Sequence, residues 1–379
     1  MNRAISISIA LLVLLSSIIS LAQSGYVEYT LVLANNTLIP GNANVSGGGY
    51  PLAIAFDTNN SYLYVLGRST IFIVDPNNNS VIGEIPLQSP STSIAYVPSN
   101  GYIYVATNGS GILVINPSTK GVVDRIPIYG EIWQMVYVPS NGYIYVSVSS
   151  SDEVDVIDTL NNTIVTTIKV GPEPIGMAYD PNNSYIYVAD YGSGEVSIID
   201  TKNDSLVGNI AIGGFPWGIA YDPNNGYIYV TEYNGMVVAI STVVDDVVAN
   251  ISIGNGIARC LTFDPSNDLI YVTVDNVSGL GNVVVINTTN VIGRIQVGKT
   301  PWGITYDPTN GHIYVANTGS GTISIIATQI SQLTSSGNAT TFVPTPPMSS
   351  KISPINTIVL VIIAFVLVVS VLLVFFKKK

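Results

Sequence analysis

The residue types that most often carry enzymatic chemistry are scarce in this chain. Its 379 residues include one histidine, His312, and one cysteine, Cys260. A catalytic thiol needs a neighbouring base to lower its pKa, and a zinc site needs several His, Cys or carboxylate ligands. Both residues also stand in columns of a sequence repeat, where other copies have Tyr in place of His312 and Gly in place of Cys260. We therefore expect both to serve packing, and we expect no catalytic residue, no metal and no cofactor.

Aspartates recur at one position of the repeat and raise the alternative of a calcium site, because carboxylates are calcium ligands. They are Asp57, Asp180, Asp222, Asp264 and Asp307. Each one begins an Asp-Pro or Asp-Thr turn, in which the side chain can accept backbone hydrogen bonds. An Asp-x-Asp-x-Asp calcium loop does not occur in the sequence. We expect these aspartates to form turns.

A third group combines aromatic rings, a cation and carboxylates. All three Trp residues fall in one column of the repeat, formed by Leu52, Thr92, Trp133, Ile175, Trp217, Arg259 and Trp302. Loops expected beside this column add Asp190, Tyr191, Glu232, Tyr233, Asp275 and Asn317. Rings that stack on a sugar and polar groups that hydrogen-bond to it are typical of ligand sites. The candidate site is therefore Trp133, Trp217, Arg259, Trp302, Asp190, Tyr191, Glu232 and Tyr233, with packing alone as the alternative role of the Trp rings.

These columns exist because one unit repeats through most of the chain. The segment Pro216 to Val230 recurs as Pro174 to Val188 and Pro301 to Val315, with weaker copies beginning at Pro51, Ser91, Ile132 and Ala258. One Tyr marks each copy: Tyr64, Tyr104, Tyr145, Tyr187, Tyr229, Tyr271 and Tyr314, spaced by 40, 41, 42, 42, 42 and 43 residues. A period of this length with several strands per unit is typical of β-propeller blades.

Each unit is predicted to contain four short strands. In the fifth copy these are Gly218 to Tyr221, Tyr227 to Thr231, Met236 to Ser241 and Val247 to Ile253, separated by Gly, Asn and Pro turns. Four-stranded sheets that leave their faces uncovered can bury them by stacking around an axis. The sequence therefore predicts an all-β fold, a seven-bladed β-propeller of four-stranded blades over residues 23–328.

The two ends of the array predict how the ring closes. The last copy supplies Thr322 to Ala327 as its third strand and lacks a fourth. Asn35 to Ile39 resembles Asn161 to Val165, which begins a fourth strand. We expect the N-terminal segment to complete the last blade. Tyr26 to Leu33 also has the pattern of a strand but has no place in this scheme.

The repeat resembles that of a known family. The segments Tyr229-Val230-Thr231-Glu232, Tyr187-Val188-Ala189-Asp190 and Tyr314-Val315-Ala316-Asn317 are similar to the Tyr-Val-Thr-Asn (YVTN) repeat of seven-bladed propellers. The resemblance covers roughly residues 35 to 327. It implies an exported or surface-layer-associated protein of the archaeal or bacterial cell surface. The fold also resembles amine dehydrogenase, streptogramin-lyase and lactonase propellers, so that fold alone does not decide function.

The two ends of the chain predict its location. Residues 1–22 have the basic start, apolar run and small residues of a secretory signal peptide, with an uncleaved anchor as the alternative. Residues 355–376 are an uninterrupted apolar run that is long enough for a transmembrane helix, and residues 377–379 are a Lys tail that favours the cytoplasmic side. The Ser/Thr/Pro-rich residues 329–354 predict a stalk. We expect a single-pass cell-membrane protein with an extracellular propeller.

Glycosylation is also predicted, because an exported chain with many Asn-x-Ser/Thr sequons can carry surface sugars. The candidate sites are Asn35, Asn44, Asn59, Asn78, Asn108, Asn161, Asn182, Asn203, Asn250, Asn276, Asn287 and Asn338. The same Asn residues can also serve as turn formers.

Composition limits the choice of partners. Charged residues make up 10% of the chain and the net charge is −11, which argues against a nucleic acid partner because phosphate binding needs clustered Lys and Arg. Partners expected are the membrane, through the C-terminal helix, and a glycan or a surface-layer protein. The predicted function is a non-catalytic cell-surface binding, adhesion or envelope-scaffold module. The alternative is a degenerate lyase or lactonase-like hydrolase that uses carboxylates at the channel mouth.

Overall fold

The structure is a computed structural model that describes residues 28–38, 50–277 and 279–331. The chain divides into two compact units, Met1–Gln332 and Leu333–Lys379, and the described residues all lie in the first. The proposed signal peptide, stalk, transmembrane helix and Lys tail lie outside the described residues, apart from the first three positions of the stalk.

Seven four-stranded antiparallel sheets form the described unit, and each sheet is one blade. Blades 1 to 3 comprise β2 (Ala53–Asp57), β3 (Tyr62–Leu66), β4 (Thr70–Asp75) and β5 (Ser80–Pro86); β6 (Ser91–Val97), β7 (Tyr102–Thr107), β8 (Gly111–Asn116) and β9 (Gly121–Ile126); and β10 (Ile132–Val138), β11 (Tyr143–Val148), β12 (Glu153–Asp158) and β13 (Thr163–Lys169). A short 3₁₀ turn, Ser149–Ser151, follows β11.

Blades 4 to 7 continue the same order from the innermost to the outermost strand. They comprise β14 (Pro174–Asp180), β15 (Tyr185–Asp190), β16 (Glu195–Asp200) and β17 (Ser205–Ala211); β18 (Pro216–Asp222), β19 (Tyr227–Glu232), β20 (Met236–Ser241) and β21 (Asp246–Ser252); β22 (Ile257–Asp264), β23 (Leu269–Asp275), β24 (Asn282–Asn287) and β25 (Asn290–Gln296); and β26 (Pro301–Asp307), β27 (His312–Asn317), β28 (Thr322–Ser331) and β1 (Glu28–Leu38). The predicted seven-bladed, four-stranded propeller is confirmed.

Burial explains the composition of each strand type. The second and third strands of a blade have both faces covered by neighbouring blades, and they are almost continuously buried, as in β19 (Tyr227–Glu232) and β20 (Met236–Ser241). β-Branched and aromatic residues suit such positions. The fourth strands lie at the outer rim and alternate between exposed and covered residues, as in β21 (Asp246–Ser252).

The last blade joins the two ends of the array. Strand β1 pairs antiparallel with β28 from Glu28 opposite Ser331 to Leu38 opposite Thr322, with a register shift between Leu33 and Asn35. The predicted closure by the N-terminal segment is therefore confirmed. Residues 28–33 of the segment that had no place are the first part of the same strand, and its partner β28 extends into the first three residues of the predicted stalk.

A repeated tyrosine connects the blades on the face where the first strand ends. The hydroxyl of each marker Tyr accepts a hydrogen bond from the Asn side chain four residues earlier, at 2.9–3.1 Å. Four of these hydroxyls also donate to the turn between the third and fourth strands of the next blade. The donor and acceptor pairs are Tyr104 with Asn162, Tyr145 with Asp204, Tyr187 with Asp245, and Tyr229 with the carbonyl of Thr288. The repeated Tyr and Asn residues therefore form hydrogen bonds within each blade, and four of the Tyr residues also bond to the next blade.

No helix in the portion of the chain that the structure describes is long and apolar enough to cross a membrane.

Candidate functional site

The repeat column that holds the Trp residues lies at the start of the innermost strands, around one mouth of the central channel. A cavity of about 170 Å³ occupies the channel. Its lining includes six of the seven column residues, namely Leu52, Thr92, Trp133, Ile175, Trp217 and Trp302. The periodicity of the sequence therefore identified a ring of positions that meet in space.

Hydroxyl groups of the second strands fix this ring to neighbouring blades. Thr231 Oγ1 donates to the carbonyl oxygen of Arg259 at 2.6 Å, and Thr273 Oγ1 donates to that of Trp302 at 2.9 Å. Ser147 Oγ makes the same bond to Ile175 at 2.8 Å. All three hydroxyls are buried, and each one reaches into the next blade. These hydrogen bonds connect the backbone beneath the mouth from each of these blades to the next.

Trp217 is the centre of an aromatic cluster at the mouth. Its ring is 9% exposed and meets Trp133, Tyr191 and Trp302 edge to face, at centroid distances of 5.2, 5.6 and 5.9 Å. Tyr233 lies 6.1 Å away at a tilted angle. Edge-to-face pairs at these separations are favourable because the ring edge is positive and the ring face negative.

Arg259 is inserted into this cluster. Its guanidinium carbon lies 4.3 Å from the centroid of the Trp302 ring and 5.2 Å from those of Trp217 and Tyr233. The residue is buried, and its Nε has no hydrogen-bond partner. The nearest carboxylate contact, from Nη2 to Asp275 Oδ2, is 4.0 Å. The positive charge is therefore held mainly by aromatic faces.

The structure places two predicted rim carboxylates differently from expectation. Asp190 and Glu232 are buried at the ends of β15 and β19, and neither lines the channel cavity. Glycines of the loops that enter the same blades make room for them. A Cβ atom on Gly171 would lie 2.5 Å from Asp190 Oδ2, and one on Gly214 would collide with the Glu232 carboxylate. Strand alternation then leaves Tyr191 and Tyr233, the next residues, in the aromatic cluster.

Burial controls the acidity of these carboxyl groups. Desolvation raises the pKa of Asp190 to about 7, against hydrogen bonds that include one from Ser197 Oγ to Oδ2 at 2.6 Å. Asp190 Oδ1 has no partner. Desolvation likewise raises the pKa of Glu232, opposed by its hydrogen bond from Asn234. The pKa values of both carboxyl groups are raised because the groups are buried under the loops that contain Gly171 and Gly214.

The other residues considered from the sequence, His312, Cys260 and the repeated aspartates, contact parts of the blades or the channel wall. His312 begins β27, at the end of the blade opposite the mouth, where it pairs with Asp307. Cys260 lines the channel, and burial raises the pKa of its thiol to about 12. The repeated turn aspartates each accept a backbone N–H from two residues ahead at 2.8–2.9 Å, as predicted: Asp57, Asp180, Asp222, Asp264 and Asp307. Within the described ranges, no three His, Cys, Asp or Glu residues form a metal-ligand group.

The sequons lie in several environments. Seven candidate asparagines are exposed: Asn59, Asn78, Asn108, Asn161, Asn182, Asn203 and Asn250. Asn276 and Asn287 are half-buried, and Asn35 lies in β1 opposite Ile325. Asn44 and Asn338 lie outside the described residues. Glycosylation stays a prediction.

Sequence reasoning missed two acidic residues beside the aromatic cluster. Glu131 and Glu173 line a second cavity of about 280 Å³ together with Trp133, Tyr191 and Trp217. Each Glu stands two residues before the Trp column of its blade, so that aligning the repeats at this offset would have found both.

Comparisons with known proteins agree on the architecture. Residues 98–218 match the family model described as the cytochrome D1 heme domain, and residues 299–326 match that of the NHL repeat. No curated protein matches the sequence significantly. A solved structure of hydrazine synthase from Kuenenia stuttgartiensis is similar, with a TM-score of 0.68 and 19% identity, covering 76% of this chain and 98% of that one.

The channel that the described residues form holds no histidine that could bind the heme named by one of these models. Heme iron takes His, Cys thiolate, Met or Tyr as protein ligands. His312 lies at the blade end opposite the mouth, and burial raises the pKa of the Cys260 thiol to about 12, which disfavours the thiolate. Tyr191 and Tyr233 pack against Trp217 in the filled mouth. The likeness thus concerns the blades, and the YVTN type stays a prediction. The chain belongs, by fold, among the seven-bladed β-propellers.

Proposed function

We propose that this chain is a non-catalytic binding module of the cell surface and that the aromatic mouth of its channel is the ligand site. The observation that carries the proposal is the placement of Arg259 among three aromatic rings on a hydrogen-bonded backbone. Such a cluster offers ring faces, a cation and a hydrogen-bonded base in one place. Aromatic side chains that only filled the channel mouth would not need the positive charge of Arg259.

A glycan suits this mouth best. The outer rings remain accessible, since Phe215 is 52% exposed and Tyr233 is 37% exposed. Phe215 extends the cluster through Tyr191, at a centroid distance of 5.2 Å. Sugar rings stack on aromatic faces, while their hydroxyl groups need donors and acceptors at the edge. Trp302 and the Arg259 guanidinium would supply stacking and donation.

A glycan array tests this proposal directly. The full chain in a nonionic detergent is compared with Trp302→Leu, Phe215→Ala and Tyr129→Ala. Tyr129 is the matched control, because it is a 91% exposed aromatic residue in the loop before β10. We expect glycan binding that Trp302→Leu and Phe215→Ala weaken by roughly tenfold, equivalent to about 1.4 kcal/mol. Absence of any glycan binding by the wild type, or an equal loss in Tyr129→Ala, would refute the assignment.

Membrane attachment is part of the same proposal. The apolar run of residues 355–376 and the Lys residues that follow support a single-pass anchor with the propeller outside. Protease treatment of intact cells should digest the propeller, and alkaline carbonate should leave the full chain in the membrane fraction. Deletion of residues 355–379 should release it. Protection of the propeller from protease would contradict the topology.

The hydrolase alternative receives no support from the site. Asp190 and Glu232, which it would use, are buried outside the channel cavity. Lactone and ester hydrolysis with added divalent metal, compared between wild type and Glu232→Gln, tests the non-catalytic proposal. Turnover that this substitution abolishes would overturn it.

A further inference from the structure

A second pocket lies beside the aromatic cluster, between blades 3, 4 and 5. Its volume is about 280 Å³, near the lower end of the roughly 300–1,000 Å³ usual for small-molecule sites. The lining includes Glu131, Glu173, Trp133, Tyr191 and Trp217. Aromatic rings and two carboxylates therefore share one small space.

The rings of this pocket are arranged as walls. Trp133 and Tyr191 both stand nearly perpendicular to Trp217, with interplanar angles of 74° and 86°. Rings that surround a point can present their negative faces to it, and cations are attracted to these faces. The same molecule shows such an arrangement already filled, because the Arg259 guanidinium lies among Trp217, Tyr233 and Trp302.

Carboxylates outnumber cations around the pocket, although the guanidinium carbon of Arg259 lies 5.2 Å from the centroid of the Trp217 ring. Glu131 and Glu173 are exposed, so that their carboxylates are available to a ligand. Asp152 adds a third carboxylate, whose Oδ1 accepts the backbone N–H of Glu173 at 3.0 Å. Lys169, whose Nζ donates to the carbonyl of Ser151, is paired with Glu153 at 2.8 Å. The field at the pocket therefore favours a positive ligand.

Hydrogen bonds hold the walls in place before any ligand binds. Trp133 Nε1 donates to Ser149 Oγ at 3.1 Å, which fixes the indole. The backbone N–H of Glu131 donates to Ser150 Oγ at 3.0 Å. On the opposite side, the N–H of Tyr191 donates to the carbonyl of Glu173 at 3.0 Å. A pocket held in this way needs little ordering on binding.

We propose that this pocket binds an organic cation, either a quaternary or alkylated ammonium group or the side chain of a basic peptide residue. The aromatic walls supply cation–π attraction, and the two glutamates supply the counter-charge. The inference goes beyond the glycan site, because it depends on Glu131 and Glu173, whereas the glycan site depends on Arg259 and Trp302. Tyr191 and Trp217 belong to both sites. The two ideas can fail separately.

Intrinsic fluorescence is a direct assay, because all three Trp residues of the chain lie in the mouth. The full chain in nonionic detergent is titrated with choline, with its neutral isostere 3,3-dimethylbutan-1-ol, and with Lys- and Arg-containing peptides. We expect a saturable change with the cations and binding of the neutral isostere that is about tenfold weaker or less. The choline and peptide titrations show which source of cation fits.

Variants locate the site. Tyr191→Leu should weaken cation binding by about tenfold. Glu131→Gln with Glu173→Gln should weaken it by up to about fivefold for each carboxylate, and glycan binding should not change. The matched control is Glu84→Gln with Asp246→Asn, which removes the same charge from exposed positions of β5 and β21. No saturable change with any cation, equal binding of the neutral isostere, or equal weakening in the control would overturn the proposal.

Discussion

Replacing Tyr187 by Phe removes one hydroxyl from the joint between blades 4 and 5. The ring is buried, and its hydroxyl donates to Asp245 Oδ1 at 2.9 Å while it accepts from Asn183 Nδ2 at 3.1 Å. A hydrogen bond to a charged group contributes about 1.5–3 kcal/mol, and Asp245 can regain water because it is exposed. We expect Tyr187→Phe to lower the free energy of unfolding by about 2 kcal/mol.

Tyr229 provides the matched comparison in the next joint. Its hydroxyl donates to the neutral carbonyl of Thr288 at 2.9 Å and accepts from Asn225 at 3.0 Å. The net contribution of a neutral hydrogen bond is about 0.5–1.5 kcal/mol, so that Tyr229→Phe should cost about 1 kcal/mol. The two variants differ in the charge of the acceptor and in little else.

Urea unfolding, followed by circular dichroism, measures the difference if all variants unfold with the same m-value. A cycle with Asp245→Asn isolates the contribution of the charge, because Asn keeps an acceptor oxygen and tolerates the left-handed backbone of position 245, where φ is 50°. We expect a coupling energy of at least about 1 kcal/mol between the two positions. Equal costs for Tyr187→Phe and Tyr229→Phe, together with zero coupling, would refute the charged joint.

Three further predictions concern pH and loop packing. The pKa of Asp190 is raised to about 7, so its contribution to stability is complete at low pH and is lost as pH rises through 7. The wild type should therefore have a higher melting temperature at pH 5 than at pH 8. Asp190→Asn should reduce this dependence of the melting temperature on pH. Burial raises the pKa of Tyr104 and Tyr314 to about 12, so stability should fall between pH 10 and 12, as spectrophotometric titration of the phenols with parallel melts would show. Gly171→Ala should cost roughly 1–3 kcal/mol in urea unfolding because its Cβ would meet Asp190, whereas Gly208→Ala, whose Cβ would lie 3.9 Å from Ile198, should cost less.

The repeat made the blades predictable from sequence. The four strands expected in the fifth copy coincide with β18 to β21 to within two residues at each end. The Tyr-x-Tyr-Val segments are recognisable because β-branched and aromatic residues are needed where both faces are covered. The Asp-Pro turns were predictable for a similar reason, since the Asx hydrogen bond is local in sequence.

The closing strand was harder to predict because of a local irregularity. A register shift between Leu33 and Asn35 interrupts the regular pairing of β1 with β28, so that the sequence has the pattern of two strands where the structure has one. The directions of the side chains at the mouth were equally hard to predict from the sequence. Asp190 and Tyr191 are adjacent in sequence, yet one is buried beneath Gly171 and the other contacts Trp217. Strand alternation places the two side chains on opposite faces, and a loop glycine makes room for the buried one. The positions of such glycines carry no strand periodicity.

Fluorine NMR of the full chain labelled with fluorotryptophan tests the central claim, that the aromatic mouth binds ligand. The spectrum should contain three resonances, one for each Trp of the chain. Addition of a glycan selected on the array should shift the Trp302 resonance with a saturable dependence on concentration, and Arg259→Met should weaken that response. Glycan binding that leaves all three resonances unchanged would place the ligand elsewhere and contradict the account.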